Sequence, residues 1–302
     1  MELTATQQRV LDDLMNFCHF EKRFSTATCS WVFKLTRAMM RKYKVKAPSR
    51  DLARMLETDL MRNGRKSSTV TKYLQALEYW HESLGSPGGP LKLQKPKKTQ
   101  HRVEYLKESE VLSVLNACAL GPSPERDLAI IMVLATTGLR NKELCNLDIN
   151  DVDIEQRLLM VRDRGAGIKN YQEDTVVMTV ECTQVLAEYL RVRPQSDSRA
   201  LFLTTNQNTR LNNCRFTTSG LLGMVSRTGR RAGLKRKVWP HLFRHTVGTL
   251  MASKGINLAL VQRQLRHKNI NSTMIYITAS EEILRQNLDQ HFGYTKTTSQ
   301  TV

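Results

Sequence analysis

The 302-residue chain has no apolar run approaching the roughly 18 residues that a membrane span needs. Its N-terminal stretch also lacks the apolar core of a signal peptide. Six cysteines (Cys18, Cys29, Cys118, Cys145, Cys182 and Cys214) include no CxxC pair and no regular spacing. That argues against a zinc site and a disulfide framework, and a reducing cytoplasm is the simple expectation. Internal repeats and low-complexity segments are missing as well. The scarce charge is the negative one: 28 Asp and Glu stand against 46 Lys and Arg, a net +18. Such a surplus suits a polyanion, and nucleic acid is the commonest. Because the positive charge is spread through amphipathic segments, a disordered basic tail explains it less well. Hydrophobic content of 40% and charged content of 25% are those of an ordinary soluble globular protein. The length favours about two domains.

Helical spacing dominates the first 84 residues. Amphipathic runs are predicted over 6–20, 25–42, 51–60 and 68–84, the last carrying Val70, Tyr73, Leu74, Leu77 and Trp80. Four such helices make a small bundle over 1–84. Basic clusters fall between them, at Arg41-Lys-Tyr-Lys-Val-Lys46 and Arg62-Asn-Gly-Arg-Lys66. They read equally well as solvated faces or as phosphate contacts. Gly85-Ser-Pro-Gly-Gly-Pro90 then breaks the pattern, and Lys95, Lys97 and Lys98 follow. Pro and Gly at this density, followed by positive charge, predict a basic interdomain linker over 85–104.

The second domain is predicted from 105 to 302. Helices are expected over 107–119, 125–137 and 141–147, with Gly138 closing the second and Arg140 standing before the third. Arg140 could be a phosphate ligand, a helix cap, or an ion-pair partner of Glu143. Short β-prone runs at 158–162 and 175–180 flank a long polar loop, 163–174, in a hairpin. A helix over 183–191, a short strand at 201–203 and a helix over 215–232 come next. Helices then continue to about residue 291.

Four polar groups within 36 residues organise this last part: His241, Arg244, His267 and Tyr276. His241 and Arg244 are three apart and share one helical face. His267 and Tyr276 are nine apart, roughly 180° around a continuous helix, so they can meet only if the helix breaks between them. Asn269-Ile-Asn-Ser272 offers that break, with Asn271 or Ser272 as the cap of a new helix. Each residue alone could be plain core or a helix-end cation. Together they suit attack by a tyrosine hydroxyl on a phosphodiester. Two guanidiniums can clamp the non-bridging oxygens and stabilise the charge that grows there, as metal ions do elsewhere. A tyrosine of ordinary pKa near 10 needs a neighbour to take its proton, and the departing alkoxide needs an acid, for which a lysine suits. Lys169, in the hairpin loop, is placed to be that acid.

The order of these groups resembles the tyrosine recombinase/phage integrase family, most closely its Xer-like members. The resemblance is carried by Ala135-Thr-Thr-Gly-Leu-Arg-Asn-Lys-Glu-Leu144, His241-Leu-Phe-Arg-His245, Val261-Gln-Arg-Gln-Leu-Arg-His267 and Ser272-Thr-Met-Ile-Tyr276. It implies a mostly α fold with a small β-sheet: an N-terminal SAM-like helical core-binding domain and a mixed α/β catalytic domain. It implies Arg140 and Arg244 as phosphate clamps, His241 and His267 as the family's histidines, and Tyr276 as nucleophile. The family forms a 3′-phosphotyrosyl bond with no metal or nucleotide cofactor. Its partners are double-stranded DNA and further copies of itself, a dimer per site and a tetramer in the synapse. By the same resemblance, residues 281–288 form a terminal helix that docks on a neighbouring protomer.

Three departures are visible. Arg266 stands where the family has Gly in LGH, implying an added DNA or subunit contact or an altered backbone. Thr278 replaces a His often found after the nucleophile. The hairpin is longer than usual, so that common spacing lands near Arg164 while the loop's lysine is Lys169. Integration, excision and dimer resolution all remain open as roles. A type IB topoisomerase-like relaxing enzyme and a catalytically silent DNA-binding protein are the alternatives.

Overall fold

The computed structural model describes residues 4–85, 89–97, 103–162, 173–205, 213–276 and 288. The chain divides into two compact units, Met1–His101 and Arg102–Val302.

The first unit holds α1 (Ala5–Asn16), α2 (Thr26–Tyr43), α3 (Arg50–Arg62) and α4 (Ser67–Ser83), with a π-turn at Phe17–Glu21 extending α1. Three of the four starts are set by side-chain caps. Thr4 accepts from the Gln7 amide, Ser25 from Thr28 and Ser49 from Leu52. Ser25 therefore lies just before its helix rather than inside it. The apolar faces close on a core that includes Leu11, Leu14, Val32, Leu56, Leu74, Leu77 and Trp80. Residues 89–97 do not run free. Leu91 and Leu93 pack on this core, Lys95 pairs with Glu78 at 2.8 Å, and the Leu93 amide donates to the same carboxylate.

The second unit begins with α5 (Glu108–Asn116), a 3-10 turn at Ala117–Leu120, α6 (Pro124–Thr137) and α7 (Asn141–Asn146). α6 is the central helix, with Ala129, Ile130, Ile131, Val133 and Leu134 fully buried. A three-stranded antiparallel sheet follows in the order β1 (Val152–Asp153), β2 (Leu158–Arg162), β3 (Glu173–Val177). The two-residue β1 carries too little alternation to be read from sequence. β2 alternates, turning Leu159 and Val161 into the core. In the hairpin Arg162 faces Glu173 and Leu158 faces Val177. The second strand thus starts two residues earlier than its predicted start at Thr175, and stops at Val177.

The reason for the early stop is local: the Thr179 hydroxyl accepts from the Cys182 amide and starts α8 (Val180–Val192). The predicted strand at 201–203 is instead two isolated bridges, Asp148 to Ala200 and Leu203 to Arg215. Then come α9 (Thr218–Arg231), α10 (Pro240–Ser253), α11 (Leu258–Leu265) and the short α12 (Asn271–Met274). Among the described residues no helix is long and apolar enough to cross a membrane.

Candidate active site

Two glycines make room for the site. Gly138 ends α6 in the left-handed region, φ 64°, where a Cβ would come within 2.5 Å of Leu265. Its carbonyl accepts from an Arg244 terminal nitrogen at 2.9 Å, and the other terminal nitrogen donates to the Leu265 carbonyl. Arg244 is 1% exposed, so its fork is pinned in the interior between the ends of α6 and α11. Burial first, then the nearby Arg140 charge, lowers its pKa to about 10, which leaves it charged at neutral pH. Gly248 is the second opening: a Cβ there would lie 2.5 Å from Cε2 and Cζ of the Tyr276 ring.

Arg140 is the N-cap of α7. The Glu143 carboxylate accepts from the Arg140 amide at 2.7 Å and from its guanidinium at 2.6 Å. A second guanidinium nitrogen donates to the Arg266 carbonyl at 3.2 Å. The cap and ion-pair readings of Arg140 are therefore realised, yet its side chain keeps 42% of its surface open. That open side borders a cavity of about 810 Å³, whose rim also carries Lys142, Arg162, Arg263, His267 and Lys268.

His267 and Tyr276 meet, but the break between them differs from the expected one. Arg266 turns the chain by itself, in the left-handed region at φ 53°. Just before α12 the Asn269 side chain accepts from the Asn271 amide at 2.9 Å and turns the chain into the helix. Neither Asn271 nor Ser272 caps it, because Ile270 occupies the N-cap position. Tyr276 follows the end of α12, and its ring stacks on His267 with centroids 6.2 Å apart and planes 15° apart. Thr273 fixes the imidazole, its Oγ1 lying 2.7 Å from His267 Nδ1.

Tyr276 is 3% exposed and packs with Val247, Val261 and Leu265. Burial raises its pKa, against the opposing pull of Arg244 and Arg140. Its hydroxyl lies 3.2 Å from Nδ1 of His245, a residue that sequence reasoning had passed over inside its own motif. His245 sits one turn after His241, and the two rings meet edge to face at 4.8 Å. His241 itself is exposed at the start of α10, with its pKa lowered by desolvation, then by Arg244 and Arg140.

Arg140, Arg244, His241, His267 and Tyr276 thus share one electrostatic neighbourhood. Lys169 and its competitor Arg164 lie outside the described residues, as do Thr278 and residues 281–287. Sequence reasoning also missed Arg266 as a site residue. Its guanidinium turns inward to Glu143, whereas a DNA or subunit contact had been one expectation. No metal-binding group of His, Cys, Asp or Glu occurs among the described residues.

The histidines should make the fold acid-sensitive. His245 and His267 both fall from an ordinary 6.5 to about 4, through burial first and then neighbouring charge: His241 and Arg244 for the former, chiefly Arg244 and Arg140 for the latter. The folded unit binds fewer protons than the unfolded chain between those values, so their contribution is complete above pH 6.5 and lost as pH falls towards 4. Thermal melts should show Tm falling across that window and a His245→Gln/His267→Gln variant flattening the fall. A wild-type Tm unchanged across it would contradict this account.

The phage integrase family profile matches residues 104–282, and the chain belongs to that family; it is a tyrosine-type site-specific recombinase. It is similar to the tyrosine recombinase XerA of Pyrococcus furiosus, 27% identical over 290 residues that cover 96% of each chain. A crystal structure of a XerA recombinase matches with a TM-score of 0.54 and 27% identity, over 94% of this chain and 98% of that one. The fold is also that of the Tn1549 transposon integrase solved with a circular intermediate DNA, with a TM-score of 0.74 at 19% identity over 93% and 99% of the chains.

Proposed function

We propose that this protein cuts and rejoins double-stranded DNA through a 3′-phosphotyrosyl intermediate at Tyr276. The observation that carries the reading is the placement of a buried tyrosine hydroxyl in the field of Arg244 and Arg140, with its ring against His267. Arg140 offers its open guanidinium face to the non-bridging oxygens, and Arg244 supplies a second fixed positive charge behind them. In the free protein the hydroxyl rests on His245. Attack turns it to phosphorus, forming the Tyr276 Oη–P bond and breaking the bond from phosphorus to the 5′ oxygen. The tyrosine proton passes to a neutral imidazole, a state that the low pKa of His267 and the lowered pKa of His241 favour at pH 7. Lys169 protonates the departing 5′ oxygen. Return of that hydroxyl reverses the step without ATP, because the bond energy stays in the phosphotyrosine.

The residue set needs neither a metal nor a nucleotide. Residues 1–84 act as the core-binding DNA domain, with the exposed Lys44, Lys46, Arg65 and Lys66 as backbone contacts; residues 85–104 link it to the catalytic domain, 105–302. A dimer on each site and a tetramer in the synapse, joined by the exchanged segment 281–288, complete the assembly. The cytoplasm is the compartment we propose for this work, in keeping with cysteines that form no disulfide framework in the sequence.

The test is covalent trapping. Wild-type protein is incubated with sheared genomic DNA of its host, stopped with detergent, and the joined DNA is recovered and sequenced. Enrichment of one sequence, linked through Tyr276 by peptide mapping, is the expected result. A nicked duplex of that sequence should then accumulate the complex. Binding with no covalent product on any DNA would favour a silent DNA-binding protein, and trapping without sequence preference would favour a relaxing enzyme.

A further inference from the structure

We infer that Arg266 is a positioning residue for Arg140, acting through the Glu143 carboxylate that the two arginines share; this rests on the reading of Arg140 as a phosphate ligand. Glu143 divides its two oxygens. Oε1 takes an Arg140 terminal nitrogen at 2.6 Å, while Oε2 takes an Arg266 terminal nitrogen at 2.6 Å and the Arg140 amide at 2.7 Å. Arg266 also holds Arg140 directly, its carbonyl accepting from Arg140 at 3.2 Å. Its remaining terminal nitrogen donates to the Gln264 carbonyl at 2.9 Å, which fixes the fork. The Arg266 side chain is only 5% exposed against 42% for Arg140, so the charge that can meet a phosphate is that of Arg140.

Two unfavourable features are tolerated at this one residue. The backbone lies in the left-handed region, and the Arg266 Nε is buried with no hydrogen-bond partner among the described residues. Among the described residues other non-glycines lie at positive φ, but Arg23, Lys44 and Arg157 are exposed and Asn213 is half-buried, with no charge to place. Glycine would suit position 266 better on backbone grounds alone. What the arginine adds is a second claim on Glu143. With two guanidiniums on one carboxylate, Glu143 anchors Arg140 without absorbing its whole charge or all its donors. Burial alone would raise Glu143, yet Arg266 and Arg140 together keep it below the usual carboxylate range, so it stays the anionic anchor at neutral pH. With Arg266 gone, Glu143 and Arg140 become an isolated pair, and the guanidinium is drawn back from the cavity.

The test compares full-length wild type, R266G, R266K, E143Q and E143Q/R266G on a nicked duplex of the sequence recovered by covalent trapping. R266G should fold, since glycine accepts the turn, and should cleave roughly tenfold to a hundredfold more slowly with DNA affinity within about threefold of wild type. R266K, which keeps a charge beside Glu143, should recover much of the rate. In the E143Q background, removal of Arg266 should change little, because the shared carboxylate is gone. Cleavage by R266G within about twofold of wild type would overturn the inference. So would an equal loss with and without Glu143, or a loss of affinity that matches the loss of rate. Should E143Q not fold, the contrast of R266G with R266K decides. Wild type that traps no DNA would overturn the recombinase chemistry itself, whereas normal wild-type trapping with an unimpaired R266G would overturn only the role of Arg266.

Discussion

Tyr276→Phe should reduce the covalent complex to background while leaving DNA affinity within about twofold and the fold intact. The substitution deletes one oxygen and nothing else. The ring keeps its seat above Gly248, its stack on His267 and its contacts with Val247, Val261 and Leu265. Lost with the oxygen is one partly buried hydrogen bond to His245, at 3.2 Å. A bond of that kind contributes about 1 kcal/mol, so Tm should fall by a few degrees at most. His245, neutral at working pH because burial brings it to about 4, is not left as an unpaired charge. Chemistry and stability therefore separate cleanly in this variant. Detergent-stable complex formed by Tyr276→Phe at more than a few per cent of the wild-type yield would mean another nucleophile.

The same environment favours the protonated Tyr276 hydroxyl in the free protein. Burial pushes the phenol up, against the pull of Arg244 and Arg140 in the other direction. The hydroxyl satisfies itself on a neutral imidazole. In the proposed reaction a bound phosphodiester gives Arg140 an anion to hold and gives the tyrosine a target.

How far the sequence predicted this site follows from what each residue depends on. Arg140, His241, Arg244, His267 and Tyr276 were legible because each belongs to a short motif with a fixed offset. The need for a break between His267 and Tyr276 followed from helical geometry alone. The device that makes the break did not. Arg266 adopts a backbone conformation that sequence rules reserve for Gly or Asn, so Asn271 and Ser272 looked like the better candidates. Its inward turn towards Glu143 was equally hidden, because the pair is 123 positions apart and an arginine on a basic chain reads as a DNA contact. His245 was passed over for the opposite reason: it is adjacent to Arg244, and only the seat of Tyr276 over Gly248 shows which of its neighbours it serves. In the fold, helix cores were legible from their apolar spacing, while ends moved by the few residues that a cap decides, as at Thr179. The two-residue β1 and the bridges at Ala200 and Leu203 depend on partners far along the chain, which periodicity cannot reveal.

Arg244→Lys should slow cleavage by roughly a hundredfold to a thousandfold, the range for removing one preorganised donor from a developing anion. At the lower end of the working pH range the charge is preserved, so the effect there isolates geometry. The arginine spans two carbonyls, Gly138 and Leu265, and a single ammonium on a shorter reach cannot hold both in the same orientation. One buried acceptor loses its charged donor, which should destabilise the unit by about 1.5–3 kcal/mol. A second consequence separates this residue from a merely structural one. Burial and Arg140 bring the arginine from 12.5 to about 10, still charged throughout the working range. A lysine starts from an ordinary pKa of about 10.4, and the same burial and Arg140 charge would lower that pKa towards the working range. The variant should then lose further activity as pH rises from about 7 to about 9, because its ammonium is charged only below that pKa. Wild type should show no such fall from this group. Measuring the single-turnover cleavage rate on a nicked site across that range decides the matter. A variant whose rate deficit is pH-independent, and no larger than its loss of folded protein, would remove Arg244 from the phosphate site and leave it as the internal brace between Gly138 and Leu265.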